Sequence, residues 1–109
     1  MAFYMFQGAY TPEALATMTK NTQDRSVVLA ELIQKLGGQQ ISFYYCFGEY
    51  DVVVIFEAPD DTTASAIVLA AISPGHAKTA KTTKLLTVQE TIEAMRKAGS
   101  VTYQAPSKG

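Results

Sequence analysis

The chain contains a single cysteine, Cys46, and a single histidine, His76, among its 109 residues. One cysteine excludes an intrachain disulfide and any cysteine-based metal cluster built from one chain. One histidine without matching ligands makes a poor metal site, so neither a metal nor a cofactor is expected. Excess charge of one sign is also missing: 9 Lys and Arg against 10 Asp and Glu leave a net charge of −1. The two signs are mixed along the chain, with no basic run and no ladder of aromatic and basic residues. That argues against nucleic acid or an anionic membrane as a partner. No apolar segment approaches the ~20 residues that span a bilayer. The opening residues MAFYMFQGAY lack a charged n-region and are too aromatic for a signal peptide. They read as a strand, with cytoplasm as the default compartment. Gly-rich phosphate loops, HExxH and GxSxG are absent as well.

What is present suits one globular domain, with 48% hydrophobic and 17% charged residues. A chain of this length buries roughly two-thirds of its unfolded surface. The most informative stretch is 40–61, QISFYYCFGEYDVVVIFEAPDD. Two runs rich in β-branched and aromatic residues, 41–47 and 50–56, meet at Gly48-Glu49, and Pro59-Asp60-Asp61 ends the second. This is a β-hairpin leading into a helix start.

Before the hairpin, residues 2–10 form an apolar first strand with Gly8 near its end. Thr11-Pro12-Glu13 then opens a helix with a capping hydroxyl, a proline at the first position and an acid in the first turn. Polar residues 20–26 interrupt it before Val28, Leu29, Leu32, Ile33 and Leu36 recur at helical spacing. Either one long helix or two pieces broken near Asn21 fits, and Gly37-Gly38 stops it. After the hairpin, Asp60 or Asp61 caps a second helix with Ile67, Val68, Ala71 and Ile72 as its buried stripe. Residues 76–86 read as a threonine-rich edge strand defended by Lys78, Lys81 and Lys84. Thr87-Val88-Gln89-Glu90 is a capping box, starting a short helix with Val88, Ile92 and Met95 on one face. Residues 1–98 read as one domain and 99–109 as a mobile tail, in which Val101-Thr102-Tyr103 can add a strand to a partner.

The order strand, helix, strand, strand, helix, strand predicts an α+β, ferredoxin-like βαββαβ fold. Right-handed crossovers give an antiparallel four-stranded sheet in the order 4-1-3-2, with two helices on one face. The central strands are apolar at consecutive positions, Phe3-Tyr4-Met5-Phe6 and Val52-Val53-Val54-Ile55-Phe56, which suits strands covered on both faces. Two helices cover only one, so the other exposes an apolar patch. A homodimer packed sheet against sheet is expected.

Leu36-Gly37-Gly38, the turn Gly48-x-Tyr50-Asp51, the Val/Ile strand after it, Glu57-Ala58-Pro59-Asp60-Asp61 and Arg25 together resemble the GYD-domain family. The resemblance spans about Tyr4 to Glu90. It implies a bacterial or archaeal protein of no assigned reaction, with a fold similar to the dimeric α/β-barrel superfamily. That superfamily holds cofactor-free oxygenases, isomerases, haem-handling enzymes and stress proteins, so fold alone leaves the function open.

Topology nevertheless places a site. Gly8, Tyr10, Tyr50, Asp51 and His76 gather at one end of the sheet, with Tyr44 on the neighbouring strand. The first helix opens there at Thr11, where a small anion fits. Asp51 and His76 lie on strands two apart, roughly 10 Å between backbones, a separation suited to flanking a small substrate over the gap at Gly8. Each residue also has a plainer reading. Asp51 either accepts hydrogen bonds from turn N–H groups or serves as general base or ligand contact. Tyr44 and Tyr50 are core or interface side chains, or line the site. His76 is exposed at a strand start, or catalytic, or an axial haem ligand in a large pocket. Cys46 reads as a buried apolar filler and Gly48 as a positive-φ turn residue. Arg25 reads as half of a surface ion pair, with phosphate binding as the sharper alternative.

Three functions fit. One is a non-catalytic dimeric module binding a small, partly apolar ligand in a regulatory or stress role. Another is a cofactor-free oxygenase or isomerase acting on a small apolar or phenolic substrate, with Asp51 or His76 moving a proton beside Tyr50. The last is a partner-binding domain that uses its tail.

Overall fold

The computed structural model describes residues 1–107. The elements run β1 (Ala2–Tyr10), α1 (Pro12–Lys20), α2 (Arg25–Lys35), β2 (Gln39–Tyr45), β3 (Val52–Ala58), α3 (Asp61–Ile72), β4 (Ala77–Leu85) and α4 (Val88–Gly99). The strands form one antiparallel sheet in the order β2-β3-β1-β4, which is the expected 4-1-3-2 order seen from the other edge. The architecture is ferredoxin-like α+β.

The helical stretch before the hairpin is two helices. Asn21 ends α1 by donating to the Thr17 carbonyl at 2.9 Å. Asp24 then starts α2 afresh, its carboxylate accepting from the Ser26 N–H at 3.0 Å. A side chain that satisfies a free helix-end donor favours a new start over continuation. The hairpin is wider than Gly48-Glu49 alone: β2 stops at Tyr45, and the Cys46 N–H closes the loop by donating to the Asp51 carbonyl at 2.8 Å. Gly48 takes φ 138° inside it. Cys46 is therefore exposed and not a core filler, because strand alternation ends one residue before it. Phe47 beyond it is 100% exposed. Residues 101–103 form no strand, and 108 and 109 of the expected tail lie outside the described residues.

Helix packs on sheet through α2 and α3. The core sits at the end where β1 begins and joins Tyr4, Ile33, Phe56, Ala58, Ala64 and Ile67. Tyr4 and Phe56 are register partners, stacked with ring centroids 5.4 Å apart. Such cross-strand aromatic pairs stabilise a sheet beyond the area they bury. Along β3, Val52, Val54, Phe56 and Ala58 are buried, while Val53, Ile55 and Glu57 are half-exposed on the other face. Gly38 passes so close to β3 that an added Cβ would lie 2.5 Å from the Glu57 carbonyl oxygen; only glycine fits there. α4 contributes no buried residue, and Val88 and Met95 are 77% and 65% exposed.

One polar contact ties three elements over this core. The buried Tyr4 donates its hydroxyl to the Asp61 carboxylate in the first turn of α3, and Lys84 of β4 pairs with the same carboxylate at 3.0 Å. The bond to Asp61 pushes the Tyr4 hydroxyl up to about 12. The bond from Tyr4, then that from Lys84, holds Asp61 below its usual 3.8. A raised tyrosine adds stability that is present below its unfolded range and lost as pH rises toward about 12. A depressed carboxyl adds stability that is present above its unfolded value and lost as pH falls through the folded one. Tyr4→Phe is therefore expected to lower stability in urea unfolding most between roughly pH 5 and 9, with the gap narrowing toward both extremes. A gap of equal size at acid and neutral pH would show that the pairing is not its source.

Candidate functional site

Small residues meet at the opposite end of the same layer. β1 brings Gly8 and Ala9, β4 begins with Ala77, and the last turn of α3 brings Ala70 and Ala71. Between them and α2 lies a cleft of about 340 Å³, walled by Phe6, Phe43, Val52, Val54, Val28, Leu29 and Leu32. The floor depends on Gly8, where an added Cβ would lie 2.9 Å from the Phe6 ring. Arg25, Glu31, Lys35, Tyr10 and His76 are its charged and titratable side chains. A second cleft of about 170 Å³, reaching to Met18 and Gln23, shares Tyr10, Arg25 and His76 with the first. Volumes and apolar linings of this kind suit small organic molecules.

Of the residues expected at a site, the cleft takes Gly8, Tyr10 and His76. The Tyr10 and His76 rings stack with centroids 6.0 Å apart, and the Thr11 N–H donates to the His76 carbonyl at 2.9 Å. The start of α1 is thereby fixed against β4, and the Thr11 hydroxyl caps it by accepting from the Ala14 N–H at 3.1 Å. Burial raises the Tyr10 hydroxyl above its ordinary range; Tyr45 and Asp51 push the same way and Arg25 pulls it back.

Asp51, Tyr50 and Tyr44 stand outside the cleft. Asp51 is a knot between strands: its Oδ2 accepts from the Tyr10 N–H at 2.9 Å and its own N–H donates to the Gly8 carbonyl at 2.8 Å. The register of β1 with β4 shifts between Ala9 and Tyr10, and the carboxylate takes up a donor at that irregularity. Tyr50 is half-buried in the hairpin loop, where its carbonyl accepts from the Cys46 thiol at 3.2 Å. Tyr44 is 69% exposed and opposes Val53, on the face of the sheet away from the cleft.

Arg25 departs from the expected surface ion pair. It is half-buried, its Nη1 donates to the Gln23 side chain at 3.0 Å, and among the described residues the one salt bridge is Lys84 to Asp61. The residues three and four places on, Val28 and Leu29, are cleft walls and offer no acid. The alanines at the end of α3 and Phe43 on β2 are site residues that the sequence does not single out. Their signal is the Ala70-Ala71 pair, which lines the same cleft as Gly8 and which a helical stripe pattern treats as ordinary packing. Among the described residues no three His, Cys, Asp or Glu side chains cluster as a metal site.

Replacing Asp51 by Ala leaves the part-buried Tyr10 N–H without its acceptor and is expected to cost about 1–3 kcal/mol in urea unfolding. Asp51→Asn, which keeps an acceptor oxygen, is expected to lose less. Unchanged stability in both would show that the contact carries no structural load.

Comparison with known proteins places this geometry. MtbAldR shares the fold at a TM-score of 0.58 and 14% identity over 79% of this chain; the chain spans about half of MtbAldR, 53% of its length. The protein TTHA0845 of Thermus thermophilus aligns at a TM-score of 0.54 and 18% identity, covering 81% of this chain and 96% of that one. FFRP-DM1 aligns at 0.52 and 15% identity, covering 79% and 100%. At such identities the likeness is one of fold. No curated protein matches the sequence. The GYD domain model matches residues 4–95, most of the strands, helices and cleft described above, and the chain belongs to the GYD-domain family.

Proposed function

We propose that the chain is a non-catalytic, dimeric binding module that holds a small, mostly apolar ligand between its sheet and the helices α2 and α3, in a regulatory role. The cleft of about 340 Å³ supports this reading. Its walls are apolar, and His76 and Tyr10 are its only titratable side chains from the expected site. Proton-transfer catalysis would need Asp51 and His76 to face one cavity. The Asp51 carboxylate is held by the Tyr10 amide and is not part of the cleft lining, which favours binding over reaction.

An uncharged fluorescent dye such as N-phenylnaphthylamine is expected to brighten on adding the protein. Ala71→Phe, which fills the cleft, is expected to remove that signal in a variant whose circular dichroism is unchanged. Absence of dye binding to the unaltered chain, or equal binding to a folded filled variant, would overturn the reading.

The dimer rests on the sheet's other face. There Met5 opposes Ile55, Phe3 opposes Leu85 and Tyr44 opposes Val53, an apolar diagonal bordered by Gln7, Lys81 and Glu57. A second copy laid sheet against sheet covers it by self-complementary contact. The chain is expected to sediment as a dimer at micromolar concentration. Ile55→Glu, which would place an unpaired charge in that interface, is expected to weaken association by roughly a hundredfold or more. A monomer at micromolar concentration would overturn this part of the proposal.

A further inference from the structure

We infer that the ligand is a small monocarboxylic acid, its compact apolar body in the main cleft and its carboxylate at the wall formed by Arg25, Tyr10 and His76. The inference rests on the cleft being a ligand site. It starts from the two clefts, which meet at those three side chains and share no other residue. A group placed at that junction touches all three, while the rest of the molecule lies against Phe6, Leu29 and Val54.

Charge selects the head group. A guanidinium carries five N–H donors in a planar fork, and Arg25 commits Nη1 to the neutral Gln23 side chain. No carboxylate of the described residues pairs with it. The other two permanent charges at the cleft, Glu31 and Lys35, are of opposite sign and cancel in the sum. The lining thus carries one net positive charge, and Arg25 is the cation at the junction of the two clefts. A planar carboxylate matches its fork bidentately and gains from the low-dielectric wall beside it. Tyr10 supplies a hydroxyl donor and His76 an imidazole stacked on it. That net charge of the lining also sets an upper limit on ligand charge: a phosphate dianion would enter a mostly apolar cleft with half its charge unbalanced.

The body follows from the lining. The cleft is apolar on the sheet side and on α3, with Gly8 and Ala71 giving depth and Phe6 and Phe43 flat walls. An aryl or short branched alkyl group fits such walls; a sugar or a nucleotide base would lose its hydrogen bonds there.

The test is displacement of the uncharged dye by a matched pair, hydrocinnamate and hydrocinnamyl alcohol, which differ only in the carboxylate. In the unaltered chain hydrocinnamate is expected to displace the dye at roughly tenfold or more lower concentration than the alcohol. In Arg25→Gln the ratio of acid to alcohol displacement is expected to fall to about one, each measured against the dye affinity of that variant. Arg25→Lys, which keeps the charge and loses the fork, is expected to retain part of the preference. Equal displacement by acid and alcohol in the unaltered chain would overturn the carboxylate assignment and leave the cleft as an apolar binding site. So would a preference that survives in Arg25→Gln. Failure of the dye itself to bind would overturn the cleft reading and this inference with it.

Discussion

The antiparallel ladder between β1 and β3 runs from Ala2 opposite Ala58 to Gly8 opposite Val52, and its register decides which side chains meet beneath α2 and α3. At the start of β1 it sets Tyr4 beside Phe56, and the two rings with Ile33 and Ile67 fill the layer. At the far end the same ladder sets Gly8 beside Val52, and the layer stays open. A slip of one residue would turn Tyr4 and Phe56 to the opposite face and remove both the filled end and the hollow one. The ladder is in turn anchored at each end by a carboxylate: Asp61 receives the Tyr4 hydroxyl, and Asp51 receives the Tyr10 N–H.

Asp51 shows how a residue can govern a site without entering it. Its carboxylate, its N–H and its carbonyl each bind a different backbone or loop partner, on β1 and at the head of the hairpin. That arrangement fixes where Tyr10 leaves the sheet. Tyr10 in turn stacks on His76, whose carbonyl holds the start of α1. The position of Tyr10 and His76 at the cleft wall therefore depends on the hairpin loop, although no loop side chain touches the cleft.

The order and pairing of the strands are legible in the sequence because they depend on patterns that one residue type cannot hide: runs of β-branched residues, Pro and Gly at the breaks, and the Thr87 to Glu90 capping box, which forms as spaced. The gathering of Gly8, Tyr10 and His76 follows from topology alone. The departures have local causes. Cys46 sits one residue beyond the end of β2, and strand alternation does not announce where a loop takes over. Tyr44 lies at the expected end but on the other face, because sidedness on an edge strand depends on the shift between Gln40 and Ser42. Arg25 invites a search for ionic partners, whereas its surroundings are the apolar residues one turn along its own helix. The cleft itself is invisible in the sequence, since a cavity is an absence produced by six separate elements.

That absence is specific in its placement. The chain does not lack large apolar side chains near the cleft: Leu69, immediately before Ala70 and Ala71, is 63% exposed. With Leu69 turned outward and Ala70 and Ala71 lining the cleft, this turn of the helix forgoes burial that would otherwise stabilise the layer, at roughly 25 cal/mol for each Å² left in water. The closed end of the layer shows that this fold accommodates large residues, with Phe56 and Ile33 among the most deeply buried side chains. The hollow end is thus a property of residue placement rather than of the fold.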